Sequence, residues 1–135
     1  MANKYTSQAP GVPGNDDFGT MSAWFVFAGL GLYPLPSTTR YFVGSPLFSN
    51  AVIQPFDRSL GKIQIIAHYS TGTDDNNDDT NGDEVYVKKL EVNGDAVDLA
   101  NSPFVEHHDL ARAEGAVLEF WMTSTEPTYS YRYRV

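Results

Sequence analysis

Residues 11–34 read GVPGNDDFGTMSAWFVFAGLGLYP, and how this stretch folds dictates what the rest of the chain has to supply. Ahead of it, Pro10, Gly11, Pro13 and Gly14 break any regular structure over residues 1–15, because proline lacks a backbone donor and glycine loses the most entropy on ordering. Asn15 is a good N-cap, and Asp16 and Asp17 fall in the first turn, where free N–H groups and the helix dipole favour carboxylates. Gly31 suits a left-handed stop and Pro34 forbids continuation. The pattern predicts a helix over about residues 16–30.

That helix has almost no polar side. Phe18, Met21, Trp24, Phe25, Val26, Phe27 and Leu30 run round its circumference, whereas a helix lying on a sheet keeps a wet face. It is therefore expected to be buried, and one small β layer covers only one side of it. Either the chain self-associates through the other side, or the helix packs with helices of a longer protein. The plainer alternative is that the lead-in and the β loops fold over it.

After Pro36 the texture changes to short β-branched and aromatic runs between turn residues: RYFVG, AVIQP, KIQIIAHYS, EVYVKKLEV, DAVDL and AVLEFWM. VNGD at 92–95 predicts a type I′ hairpin joining 84–92 to 95–99, since Asn and Gly accept the positive φ that this turn demands. HHDLARAEG reads as one helical turn begun at Asp109 and stopped by Gly115, and the closing YSYRYRV as an edge strand or an ordered tail. The fold class is α+β: a long buried N-terminal helix followed by a mostly antiparallel β-rich body. Residues 1–36 form the lead-in and helix, and 37–135 the β region with an acidic loop at 71–84.

Composition bounds the partners. A formal charge of −8 with only nine Lys and Arg argues against nucleic acid, whose phosphates need clustered cations. Six of the acidic residues crowd into Asp74–Glu84, which leaves the body nearly neutral. Without Cys there is no disulfide, thiol nucleophile or thiolate zinc site. The start MANKYTSQAPG carries no signal-peptide pattern, and the longest apolar run, 23–28, is far too short to span a bilayer. Neither a P-loop, a dinucleotide fingerprint nor a G-x-S-x-G elbow occurs.

At successive helix positions the Asp16 and Asp17 side chains point about 100° apart, so they do not form an acid and base pair across one substrate. Ionised carboxylates there suit a base, or a ligand to a cation or a sugar hydroxyl; the plain reading is two favourable first-turn charges. In the acidic loop, Asn77, Asp79, Asn81 and Gly82 match the first half of an EF-hand, but Lys88 stands where its bidentate Glu belongs, so a solvated loop is expected. His107, His108 and Asp109 are adjacent rather than spaced for one ion, and a capped turn is expected. Tyr129, Tyr131 and Tyr133 are read as a packed edge strand, with a sugar-stacking platform as the alternative.

PGNDDFGTMSAWFVFAGLGLYP closely resembles the signature near the C-terminus of glycoside hydrolase family 92, the calcium-dependent exo-acting α-mannosidases. There a Gly-x-Asp/Glu-Asp-x-Gly segment runs into Met-Ser-Ala-Trp-Tyr-Val-Phe and then Leu-Gly-Phe-Tyr-Pro. YFVGSPLF, VKKLEVNGDAV and HHDLARAEGAVLEFWM are similar to segments that follow in that family, so the resemblance covers about residues 5–122. Asn15 departs from the carboxylate many members carry at that place, and TGTDDNNDDTNGDE looks like an insertion.

The resemblance implies an inverting hydrolase with an (α/α)₆ barrel, one stave of which is the 16–30 helix, that removes terminal α-linked mannose from a glycan with the help of Ca²⁺. It implies that Asp17 is the general base, with Asp16 and Asn15 beside it to position water or substrate. The family's general acid and principal calcium ligands lie upstream of the region matched, so no metal ligand is assigned in this chain, and alone it is expected to be catalytically incomplete. Its partners would be a mannose-containing glycan and either the preceding portion of such an enzyme or a second copy. Full-length relatives are often secreted or periplasmic. The rival reading is a non-catalytic β-rich module for sugar binding or subunit association.

Overall fold

A computed structural model of the chain describes residues 4–8, 11–69 and 84–127. Along it run α1 (Thr20–Gly29), β1 (Leu32–Pro34), β2 (Arg40–Val43), β3 (Asn50–Ile53), β4 (Ile63–His68), β5 (Tyr86–Val92), β6 (Asp95–Ala96), β7 (Phe104–Glu106), α2 (His107–Leu110) and β8 (Ala116–Thr123). The acidic loop, apart from Glu84, and the tyrosine-rich C-terminal segment lie outside the described residues.

The strands form two sheets, one ordered β1-β2-β7 and the other β3-β4-β8-β5-β6. Among the described residues every pairing is antiparallel except β4 with β8, where Ile63 lies opposite Ala116 and His68 opposite Trp121. An α+β fold rich in strands is thus what the alternating runs specify. β8 shows why: Ala116, Leu118, Phe120 and Met122 point inward and are buried, while Val117, Glu119, Trp121 and Thr123 point outward. Phe120, Leu118, Ile65 and Leu90 are fully buried and join Leu32, Val43 and Val105 of the smaller sheet in one core. Each such side chain stabilises the fold by roughly 1.5–3 kcal/mol.

The one parallel pair starts at a glycine contact. A Cβ on Gly61 would run into the backbone of Gly115, and Gly115 itself has φ 93°, so only glycine lets the two strands begin side by side. Lys62 O then accepts the Ala116 N–H at 3.0 Å. The β5–β6 turn has Asn93 at φ 55° and Gly94 at φ 88°, as the hairpin reading requires, although β6 stops at Ala96. Asn93 also uses its side chain as a rivet: Nδ2 donates to Asp109 O and Oδ1 accepts from Val117 N–H, both at 2.9 Å.

The N-terminal helix corrects the sequence reading. It runs Thr20–Gly29, ten residues rather than about fifteen, and of these only Gly29 is buried. Asp17, Phe18 and Gly19 have φ of 48°, 59° and 90°, and a right-handed helix cannot pass through three left-handed residues. The N-cap is accordingly Gly19, not Asn15. Beyond the helix, Gly31 takes φ 76° as expected, but the chain then turns at once into β1. Nor does the helix find cover on every side. Phe27 and Leu30 pack on the core, Tyr5 of the lead-in stacks beside Trp24 and Phe25, and Val26 stays 57% exposed. The second helical turn begins at His107 rather than Asp109, with Glu106 as its N-cap.

Candidate active site

The two aspartates sit on the left-handed turn that leads into α1, and they differ in what they hold. The Asp16 carboxylate is committed: Oδ1 accepts both the Ser22 N–H at 2.8 Å and the Ser22 hydroxyl at 3.0 Å. Its carbonyl accepts from Met21 N–H, and the Asp17 carbonyl accepts from Thr20 N–H and, at 2.7 Å, from the Thr20 hydroxyl. Three of the four donors that a helix N-terminus leaves unpaired are thereby satisfied from residues 16 and 17. Asp16 does the work of a cap, from outside the helix rather than from its first turn.

Asp17 is different. Its N–H donates to Asn15 Oδ1 at 3.3 Å, so Asn15 shapes the turn, but among the described residues nothing hydrogen-bonds the Asp17 carboxylate. The side chain is exposed, and beside it Phe18 stands 112% exposed relative to its reference state. The structure therefore brings Asn15, Asp16 and Asp17 onto one turn, with one carboxylate spent on the backbone and the other open.

Among the described residues, hollows lie on either side of α1. One, of about 350 Å³, is almost wholly apolar and lies under Val26, Phe27, Leu30, Ile63 and Leu110, with Tyr41 Oη and His107 Nδ1 hydrogen-bonded at 2.9 Å on its wall. The other, of about 560 Å³, opens between α1 and the lead-in, lined by Tyr5, Thr6, Ser7 and Gln8 on one side and Ser22 and Phe25 on the other. The sequence reading took the lead-in as extended chain, offered its folding over the helix only as the plainer alternative, and singled out none of these wall residues. The available signal was Tyr5, an aromatic isolated among breakers with aromatic partners in the next element.

Among the described residues, no three or more His, Asp or Glu side chains converge as metal ligands. In the second helical turn, His108 and Arg112 both face Asp109, at 3.4 and 3.8 Å, while His107 turns away to Tyr41.

Known proteins give this geometry a context. The solved structures that resemble it include a family 92 α-mannosidase from Bacteroides thetaiotaomicron in complex with mannoimidazole, 29% identical with a TM-score of 0.72. An inverting family 92 mannosidase of the same organism is 27% identical with a TM-score of 0.67. These likenesses cover 95% and 93% of this chain but 15% of each of those. An uncharacterized secreted glycosidase of Arthroderma benhamiae is 32% identical over 94 residues, 70% of this chain and 11% of its own length. The class they define is that of glycoside hydrolases, with mannosidases among the structural relatives. The model of the glycosyl hydrolase family 92 catalytic domain matches residues 1–124, and the chain belongs to that family.

Proposed function

We propose that this chain supplies the water-activating end of an α-mannosidase, with Asp17 as general base. What carries this reading is the contrast within the turn: Asp16 is used up in holding the helix start, and Asp17 is held beside it with a free, exposed carboxylate. An inverting hydrolysis needs a base on one face of the sugar and an acid on the other, roughly 6.5–9.5 Å apart. Asp17 would take the proton of a water whose oxygen attacks the anomeric carbon as the glycosidic C–O bond breaks. The departing oxygen would take its proton from an acid supplied elsewhere, which we assign to no residue here. Asn15 and Asp16 would position that water, or a sugar hydroxyl, through the shape they give the turn.

The mannosidase relatives, one of them holding mannoimidazole, support a terminal α-linked mannose unit as the substrate. Calcium would bind sugar hydroxyls if the family's ligands were brought in from outside the described residues, and no step above depends on it. The open side of α1, where Trp24 and Val26 are exposed, would be the surface on which further barrel helices pack, and the same face supports the rival role of an association module.

The test is Asp17→Asn in an α-mannosidase complete in its barrel and carrying this segment, assayed with an aryl α-mannoside. Loss of a general base lowers kcat by roughly 10²–10⁴-fold. Unchanged turnover would remove Asp17 from the mechanism. Turnover by the 135-residue chain alone, abolished by Asp17→Asn, would keep the base but show that the chain needs no further barrel.

A further inference from the structure

We propose that Asn93 is a conditional modification site: shut in the folded chain, it opens to spontaneous deamidation when the β5–β6 hairpin lets go, and the change then hinders the hairpin from closing again. Asn93-Gly94 sets the reaction's two partners side by side. The backbone nitrogen of Gly94, once deprotonated by base, bonds to Asn93 Cγ and forms a succinimide ring. The Cγ–Nδ2 bond breaks, and Nδ2 leaves as ammonia with a proton taken from water. Water then adds to either ring carbonyl and opens it to aspartate or isoaspartate. Glycine favours the attack because it has no Cβ to obstruct it.

Burial does not protect the pair, since Gly94 is exposed and Asn93 only half-buried. What restrains it is bonding. The Asn93 N–H donates to Val117 O at 2.8 Å, and Asn93 Oδ1 accepts the Val117 N–H at 2.9 Å. The side chain thus stands in for its own main-chain carbonyl and carries the β5–β8 ladder one residue past Val92 and Leu118. On the other side Nδ2 donates to Asp109 O at 2.9 Å and ties the turn to α2. Cγ is held between two elements distant in sequence, and swinging it onto the Gly94 nitrogen breaks both side-chain bonds. The product fits badly. A carboxylate at position 93 has no proton to give, so one of its oxygens would face the Asp109 carbonyl, acceptor against acceptor. Isoaspartate would lengthen the main chain by a methylene inside a tight hairpin turn.

The experiment ages the whole chain in mildly alkaline buffer, with and without urea, and follows position 93 by tryptic peptide mapping. Cleavage after Lys89 and Arg112 puts Asn93 in a different peptide from Asn81-Gly82, which lies outside the described residues. In urea the Asn93 amide should be lost steadily. In the folded chain the loss should be at least about tenfold slower, since two hydrogen bonds must open first. Gly94→Ala, compared in urea where folding plays no part, should slow the loss several-fold by crowding the attacking nitrogen. Asn93→Asp, which mimics one product, should lower the urea midpoint or fail to fold. No loss in urea, equal rates at position 93 with and without urea, or an Asn93→Asp midpoint equal to that of the wild type would overturn the proposal.

Discussion

Phe18 and Phe120 are the same residue in opposite circumstances, and the two regions they occupy explain how this chain is built. Phe120 is fully buried at the centre of the five-stranded sheet, where each strand covers its neighbour and the smaller sheet closes the core. Phe18 projects fully exposed from a left-handed turn that any short polar residue would adopt at less cost. The β region also exposes apolar side chains, Phe48 and Phe56 among them; the helical end differs in setting an exposed Phe18 beside a free carboxylate on a left-handed turn. Two consecutive non-glycine residues at positive φ, Asp17 and Phe18, with the Phe18 ring exposed, mark a turn shaped by something other than stability.

The sharpest way to break this contrast is Phe120→Ala. It empties a site with no access to solvent and should cost about 3–5 kcal/mol, enough to lower the melting temperature steeply or prevent folding. A small change would mean that the sheet does not carry the stability. Next comes Asp16→Ala, which removes the acceptor of two Ser22 donors and should cost about 0.5–2 kcal/mol in urea denaturation. Asp17→Ala, by contrast, should leave stability nearly unchanged. Equal losses from the two would erase the distinction between a structural and an open carboxylate.

How legible was this in the residues alone? The strands were, because period-2 alternation in AVLEFWM fixes a buried face whatever surrounds it, and Asn93-Gly94 announces its own turn. β1 and β7 were not: three residues each, they take their strand character from pairing with β2 rather than from any pattern of their own. The helix start was misplaced for a related reason. Asn-Asp-Asp before an apolar run is an ordinary N-terminus by propensity, and nothing in the letters reveals that Asp17 and Phe18 turn left-handed. The aspartates could be singled out, but their unequal roles arise from Asp16 reaching six residues ahead to Ser22, which only the folded turn discloses.

Phe18→Asn sharpens the comparison from the other side. Asn tolerates the left-handed region better than Phe, and no buried contact is lost, so stability should stay the same or rise by less than about 1 kcal/mol. The denaturant midpoint measures it directly. A destabilisation above that size would show that the Phe18 ring is covered in solution and that the helical end is less open than described.

The smallest effect belongs to the pair that ties the central strand of the smaller sheet to its edge, Arg40 of β2 and Glu106 of β7, at 2.7 Å. The hydrogen bond from the Arg40 guanidinium, with a further one from the Thr39 hydroxyl and the attraction of Arg40 itself, holds the Glu106 carboxyl below its usual value. A folded-state value lowered relative to the unfolded chain gives stabilisation that is full above the unfolded carboxylate range and is lost as pH falls through the folded value. Both side chains are substantially solvated, so the gain is modest and screened by salt. Urea midpoints of wild type and Glu106→Gln should therefore differ slightly at neutral pH, converge as the solution is acidified past the carboxylate range, and differ less in high salt. A gap that persists unchanged in acid would mean that Glu106 holds the strands by packing, and that the smaller sheet depends there on shape rather than on charge.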